Sequence, residues 1–531
     1  MSNSVSPNNE DTATEPASGW LGWLEWCGGR STAQLALLIG LAITLAKFPL
    51  LFTTLGEQDH GRLIMDAFIY VNDGPTTLRN YGIFTSPLWT LPLAGFMVLF
   101  GAAHVVILTN VGGWLCGGVT TALAFVLLRQ MGAARAWAAA GSVAAGFLPG
   151  TFYISLYGYP SQFALPFIIA SAVAYGRALD TGRIVWLVVS CVLYCCVALM
   201  KIDFALAGSL LFAVAIVKKR TFDRTWLLPL FPLIAIGVSF LVGIAAIDGQ
   251  NLIQFLTHVD ATHPWSAEEL VDSHVSTIFY AIGLGTLIVL GISVIVGFIR
   301  VDSRRTTLRI VIAWLIGGAP LILFWLARPP MSTRHAMPGA FMTALFAALL
   351  MSQIRFRIRY AALLWIVAVV ALNWPFGKPD YDFNYQPSGN LAGGLSMNRR
   401  AYAVVHEIAR QIADPQQPSK AIMGHPQTNI LGGIDFVPGV LVEMASRAES
   451  AKAFSMHWAG AIFFRRKDGV QTRTFIYVYP HSVTNLIRMR RVGYYTPYEI
   501  NLKPLTRHDV KIKVFDANKM FEEASGEYIW R

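Results

Sequence analysis

Stretches of about 20 apolar residues recur along this chain between short polar loops, and a helix of that length crosses the hydrocarbon core of a bilayer. The predicted spans cover 33–55, 87–103, 105–128, 136–151, 161–178, 184–200, 203–217, 226–246, 275–299, 309–327, 336–352 and 360–374. The pattern therefore predicts a polytopic α-helical membrane protein with about 11–13 transmembrane helices over residues 33–374. Beyond residue 375 the apolar positions become intermittent. Strand-like runs stand at 474–479 and 510–514, and 399–413 has the spacing of an amphipathic helix. A small C-terminal α/β domain is expected over 375–531, opening on a linker, 375–390, rich in aromatics and turn formers. Residues 1–32 form a polar N-terminal tail with Trp20, Trp23 and Trp26, which suit a membrane interface. No short apolar segment with a cleavage site precedes the first long span, which is expected to be an uncleaved anchor.

Composition agrees with the pattern. Of 531 residues 54% are hydrophobic and 14% charged, against roughly 25% charged in soluble domains. The mean hydropathy is +0.49. The formal charge of +11 is concentrated in loops beside spans: Arg129 to Arg135, Lys218 to Arg220, Arg300 to Arg309 and Arg355 to Arg359. Such clusters mark the cytoplasmic side, and no nucleic-acid-reading module accompanies them. Loops 129–135, 177–183, 218–225, 300–309 and 353–359 are then inside, and 152–160, 247–274, 328–335 and the C-terminal domain outside. With a cytoplasmic N-terminus, loop 56–86 is also outside, yet two crossings between 87 and 128 would put Arg129 on the wrong side. One of those two segments is expected to be a half-span, a re-entrant piece or an interfacial helix, and the sequence leaves open which. Cys27, Cys116, Cys191, Cys195 and Cys196 all avoid the outer loops and the tail, so neither a disulfide framework nor a metal-ligand spacing is expected.

Polar residues that could do chemistry concentrate on the outer side. Loop 56–86 holds Asp59, His60 and Asp66 and ends in Thr85-Ser86-Pro87-Leu88-Trp89. Asp59 and Asp66 are seven apart, so a helix would set them on one face beside an apolar stripe of Leu63, Ala67 and Tyr70. That describes an active-site wall, or equally a set of solvated loop charges with Asp59 as a cap. Lys201 follows Ala198-Leu199-Met200 at the outer end of a span; it either faces a ligand or snorkels to the interface. Arg334 and His335 lie in Arg328-Pro329-Pro330-Met331-Ser332-Thr333-Arg334-His335-Ala336-Met337-Pro338, on the side where arginine is disfavoured. A guanidinium there suits a phosphate through its planar pair of donors, or anchors to head groups. Loop 247–274 groups His258, Asp260, His263, Trp265, Glu268 and Glu269; a lid or a metal site would fit, although the spacing matches no standard zinc pattern. The tail aromatics Trp458, Phe463, Tyr477, Tyr479, Tyr494 and Tyr495 are core residues or sugar-stacking groups.

These residues resemble those of the GT-C superfamily of polyprenyl-phosphate-sugar-dependent glycosyltransferases, which includes protein O-mannosyltransferases, lipid A aminoarabinose transferases and cell-wall arabinofuranosyltransferases. Asp59 matches the first position of the family's acidic pair, Gly74 its loop glycine, and Ser86-Pro87-Leu88-Trp89 its re-entry into the membrane. His60 departs from the second acid, and Tyr157-Gly158-Tyr159-Pro160-Ser161-Gln162 lacks the acid that some relatives carry there. A second carboxylate would then come from Asp66, Asp73, Asp203, Asp260 or Asp272, of which Asp66 is favoured. Lys201 and the stretch around Arg334 match positions that face the lipid phosphate.

The resemblance implies an enzyme of the plasma (inner) membrane. It implies a polyprenyl-phosphate-sugar donor, a glycan, lipid or protein acceptor, and inverting transfer with Asp59 as general base. The implied catalytic set is Asp59, His60 and Asp66, and the implied donor-phosphate set Lys201, Arg334 and His335. No nucleotide is needed, and a divalent cation is left open. Two other readings share the many spans: a ligase or polymerase of polyprenyl-linked glycans, and a transporter or flippase of lipid-linked substrates. Transporters often show inverted repeats with broken helices, and none is found here.

Overall fold

The structure, a computed structural model, describes residues 31–48, 51, 67, 86–100, 105–154, 160–219, 282–320, 322, 333–354 and 365–367 of the helical part. In the tail it describes 420–423, 461–467, 470–476, 499–501 and 511–516.

The first helix, α1 (Thr32–Lys47), opens on a capping box: Gln34 N donates to Ser31 Oγ at 3.2 Å, and Ser31 N to Gln34 Oε1 at 3.1 Å. Next come α2 (Pro87–Phe100) and α3 (Val105–Gln130), with proline at the first position of α2, where a missing N–H costs nothing. At 14 residues α2 is about 21 Å long, short of the roughly 30 Å hydrocarbon core. It is thus the short segment of the pair between 87 and 128.

Helices α1 and α3 run antiparallel through a glycine contact. A Cβ on Gly40 would fall 2.8 Å from the Gly118 carbonyl oxygen, and one on Gly118 2.7 Å from that of Gly40. Trp114 Nε1 donates to Thr44 O at 2.6 Å beside it. Small residues let backbones meet where no water is available to drive association. Gly118→Val is therefore expected to destabilise the protein by about 1–3 kcal/mol, read as a lower melting temperature in detergent. Gly95→Ala is the control, because a Cβ there meets nothing within 4 Å.

The chain continues through α4 (Arg135–Gly146), α5 (Pro149–Ile154), α6 (Pro160–Thr181) and α7 (Ile184–Met200). Helices α6 and α7 form a hairpin whose turn uses Gly182 at φ +64°, a conformation that favours glycine. Ser190 Oγ donates to Ser171 O at 2.9 Å across the pair. The predicted span 203–217 begins instead as a 3₁₀ helix, Ile202–Gly208, leaving ten α-helical residues in α8 (Ser209–Lys218). Next, α9 (Leu284–Ile299) and α10 (Arg304–Gly317) meet across a 3₁₀ turn, Val301–Ser303, at 110°. Last is α11 (Thr333–Gln353), whose membrane-length window is 89% buried, the mark of a central helix.

Among the described residues three helices are long and apolar enough to cross a membrane, or four if the bent pair counts as one span. Large apolar side chains face outward in stripes, such as Leu37, Leu41, Leu45 and Phe48 on α1. A surface of this kind requires lipid rather than water, and the protein is a multi-pass membrane protein.

The basic loops gather at one end of the bundle. Lys218 Nζ bonds Gln130 O at 3.3 Å and pairs with Asp180 at 2.5 Å. Gln353 Nε2 donates to Gly132 O at 3.0 Å, Ala134 N to Ser352 Oγ at 2.7 Å, and Arg300 Nη1 to Ile354 O at 2.8 Å. Loops far apart in the chain thus close one face.

In the tail the described residues form an antiparallel sheet of β1 (Lys420–Met423), β2 (Ala461–Lys467), β3 (Val470–Ile476), β4 (Glu499–Asn501) and β5 (Lys511–Asp516), in the order β1-β2-β3-β5-β4. β3 and β5 fall on the two strand-like runs of the sequence, within a few residues. Lys467 pairs with Val470, and the two residues between them are Asp-Gly, a favoured hairpin sequence. The expected helix 399–413 lies outside the described residues.

Candidate functional site

The end of the bundle opposite the basic loops collects buried polar side chains. Lys47, the last residue of α1, is completely buried, and its Nζ stands 5.0 Å from the centre of the Phe152 ring on α5. Contact of an ammonium with an aromatic face contributes about 0.5–2 kcal/mol. Burial of a charge costs several kcal/mol, so a lysine at this depth is a candidate for function. Lys47 falls inside the predicted span 33–55, although a lysine in Leu45-Ala46-Lys47-Phe48 is a legible signal.

Lys201 reaches the same end by a different route. It caps α7 in extended backbone (φ −158°, ψ 111°), its N–H bonding Val197 O at 2.9 Å, and it launches the 3₁₀ helix. Its side chain crosses Phe204 with Nζ 5.8 Å from the ring centre. The α6–α7 register fixes its height. Ser171 faces Ser190, and ten residues back along α6 and ten onward along α7 bring Ser161 level with Met200. At 1.5 Å per residue both arms advance about 15 Å, so Lys201 lies beside the first turn of α6. It is only 8% exposed. A lysine that merely snorkels keeps its ammonium in water, whereas this side chain is largely covered.

Contacts between helices place Lys47 at that height too. Gly112 of α3 abuts the Phe163 ring, while at the other end of this parallel pair Gly176 abuts Gln130. Gly118 meets Thr44 on α1, and Phe48 packs on Trp114, their ring centres 5.7 Å apart. The end of α1, the start of α3 and the start of α6 therefore share one level, and α5 packs against α3, α6 and α11 beside them.

Several buried hydrogen-bonding atoms there have no partner among the described residues: Asn110 Oδ1, Thr151 Oγ1, Ser161 Oγ, and both Oε1 and Nε2 of Gln162. An unmet buried polar group costs about 1–3 kcal/mol. Elsewhere in the bundle buried hydroxyls fold back onto the carbonyl one turn earlier, as Thr44 does on Gly40, Thr121 on Gly117 and Thr343 on Gly339. Thr151 and Ser161 stand in the first turns of α5 and α6, where no such helical carbonyl precedes them.

Arg334 and His335 occupy the first turn of α11. That helix ends among the basic loops, and its 21 residues span about 31 Å. Its first turn is therefore at the Lys47–Lys201 end, and a helix N-terminus favours anions. Asp59, His60, Asp66 and loop 247–274 lie outside the described residues. Among the described residues no group of three or more His, Cys, Asp or Glu is placed to hold a metal ion.

No protein-family profile matches the chain, and no curated protein sequence does. Among solved structures the chain is similar to ArnT from Cupriavidus metallidurans bound to undecaprenyl phosphate, with TM-score 0.52 and 13% identity over 94% of this chain and 98% of that one. It also matches the Archaeoglobus fulgidus oligosaccharyltransferase in complex with zinc and sulfate, with TM-score 0.41 and 12% identity over 72% of this chain and 56% of that one. The ArnT match shows that this chain shares the fold of that protein.

Proposed function

We propose that this chain is a membrane glycosyltransferase that moves a sugar from a polyprenyl-phosphate donor to a hydroxyl of an extracytoplasmic acceptor. The observation that carries the reading is the shared fold with ArnT, a protein crystallised with undecaprenyl phosphate, over 94% of this chain. The collection of Lys47, Lys201 and the first turn of α11 at one end supports it, because a lipid phosphate needs cations at the depth of its head group.

The donor enters sideways from the bilayer, and its phosphate meets Lys201, Arg334 and His335. Asp59, supported by His60 and Asp66, accepts the acceptor's hydroxyl proton as that oxygen attacks the anomeric carbon. The bond from that carbon to the phosphate oxygen breaks on the opposite face. Polyprenyl phosphate leaves with the electron pair, its added negative charge met by the cations. One displacement inverts the anomeric centre. The end bearing the basic loops is cytoplasmic, so the transfer site and the α/β domain over 375–531 face outward from the plasma membrane.

The test is transfer of label from polyprenyl-phosphate mannose, glucose, galactose and arabinofuranose to acceptor material in isolated membranes, using the purified full-length chain in nanodiscs. Release of unglycosylated polyprenyl phosphate, coupled to label on the acceptor, is the expected result. Movement of intact donor between leaflets with no cleavage would overturn the reading in favour of a flippase.

A further inference from the structure

The polar atoms without partners at the Lys47 end have a use that the transfer reading does not yet include. Among the described residues, five of the ten buried side-chain polar atoms lacking a hydrogen-bond partner belong to Asn110, Thr151, Ser161 and Gln162. The Gly112 contact with the Phe163 ring sets the start of α3 beside the start of α6, and α5 packs against both. Gln162 is fully buried, and neither end of its amide has a partner among the described residues. A carboxamide that both donates and accepts, beside two hydroxyls and an amide oxygen, matches a ligand that also does both. A phosphate dianion only accepts, so this set suits it poorly; sugar hydroxyls donate and accept.

We infer that Asn110, Thr151, Ser161 and Gln162 form the subsite that reads the hydroxyls of the transferred sugar, with Gln162 as its main specificity determinant. This rests on the reading of the chain as a glycosyltransferase. It adds that discrimination among donors resides in the first turns of α5 and α6 and the start of α3. A site built to bond a hydroxyl strongly rejects the analogue that lacks it, because its own buried groups are then left unmet.

The experiment measures binding of bare polyprenyl phosphate and of the same four glycosylated donors to the wild type and to Gln162→Leu, both full length in nanodiscs. In the wild type at least one glycosylated donor binds about 10- to 100-fold tighter than the bare lipid. In Gln162→Leu that advantage disappears, affinity for the bare lipid is unchanged, and the melting temperature holds or rises, since leucine leaves no unmet amide. The inference is overturned if Gln162→Leu keeps the wild-type preference, if it weakens bare and glycosylated lipid equally, or if it lowers the melting temperature as a structural amide would. It is also overturned if the wild type binds bare and glycosylated lipid equally, an outcome that leaves the transferase reading standing. Binding of neither would remove the transferase reading itself.

Discussion

Asp59→Asn is expected to lower sugar transfer by about 10²–10⁴-fold, the range over which a positioned general base contributes. Asparagine keeps the size and a hydrogen-bonding oxygen of the side chain and removes only its basicity. Donor affinity and melting temperature should therefore stay near wild type, and the loss should fall on the chemical step. Single-turnover transfer with labelled donor separates that step from binding. Near-wild-type turnover in a variant that folds and binds donor would remove Asp59 from the mechanism. His60→Ala and Asp66→Asn are expected to cost less, since they act through Asp59.

Lys201→Met carries the second large effect, a loss of about 10²–10³-fold in turnover, the magnitude found when one donor to a developing oxyanion is removed. Methionine fills the same channel past Phe204 and removes the charge. Lys201 is only 8% exposed, so the substitution uncovers little new surface. The expected signature is lost turnover in a variant that still folds, as read by a cooperative melting transition. Lys201→Arg should restore part of the rate, because a cation returns with altered reach. If turnover survives Lys201→Met, the lysine is an interface anchor, and Lys47 becomes the first cation to test at the phosphate.

The two lysines show how differently two residues of one type can be read. Lys201 ends a span at an outer loop, so its position along the chain already marks it. Lys47 lies inside an apolar run, and hydropathy averages it away; its importance rests on complete burial and on Phe152, more than a hundred residues later. Gln162 is similar. In the sequence it marked the lack of an acid before a span. In the fold it is a buried amide with no hydrogen-bond partner among the described residues.

What the sequence determined by itself is everything that depends on a segment and its solvent. Apolar length specified spans, the grouping of arginines and lysines specified which loops share a side, and alternation in the tail specified two strands. Each of these is a local partition of side chains between lipid, water and hydrogen-bonded backbone, so no knowledge of neighbours is required. Tertiary structure decided the rest: that α2 is the short segment, that the span at 203–217 opens as a 3₁₀ helix, and that Lys47, Lys201, Gln162 and the first turn of α11 meet at one end. Those outcomes depend on helix register and on backbone approach at contacts such as Gly40 with Gly118. Register is a property of pairs of helices, and no single stretch of chain encodes it.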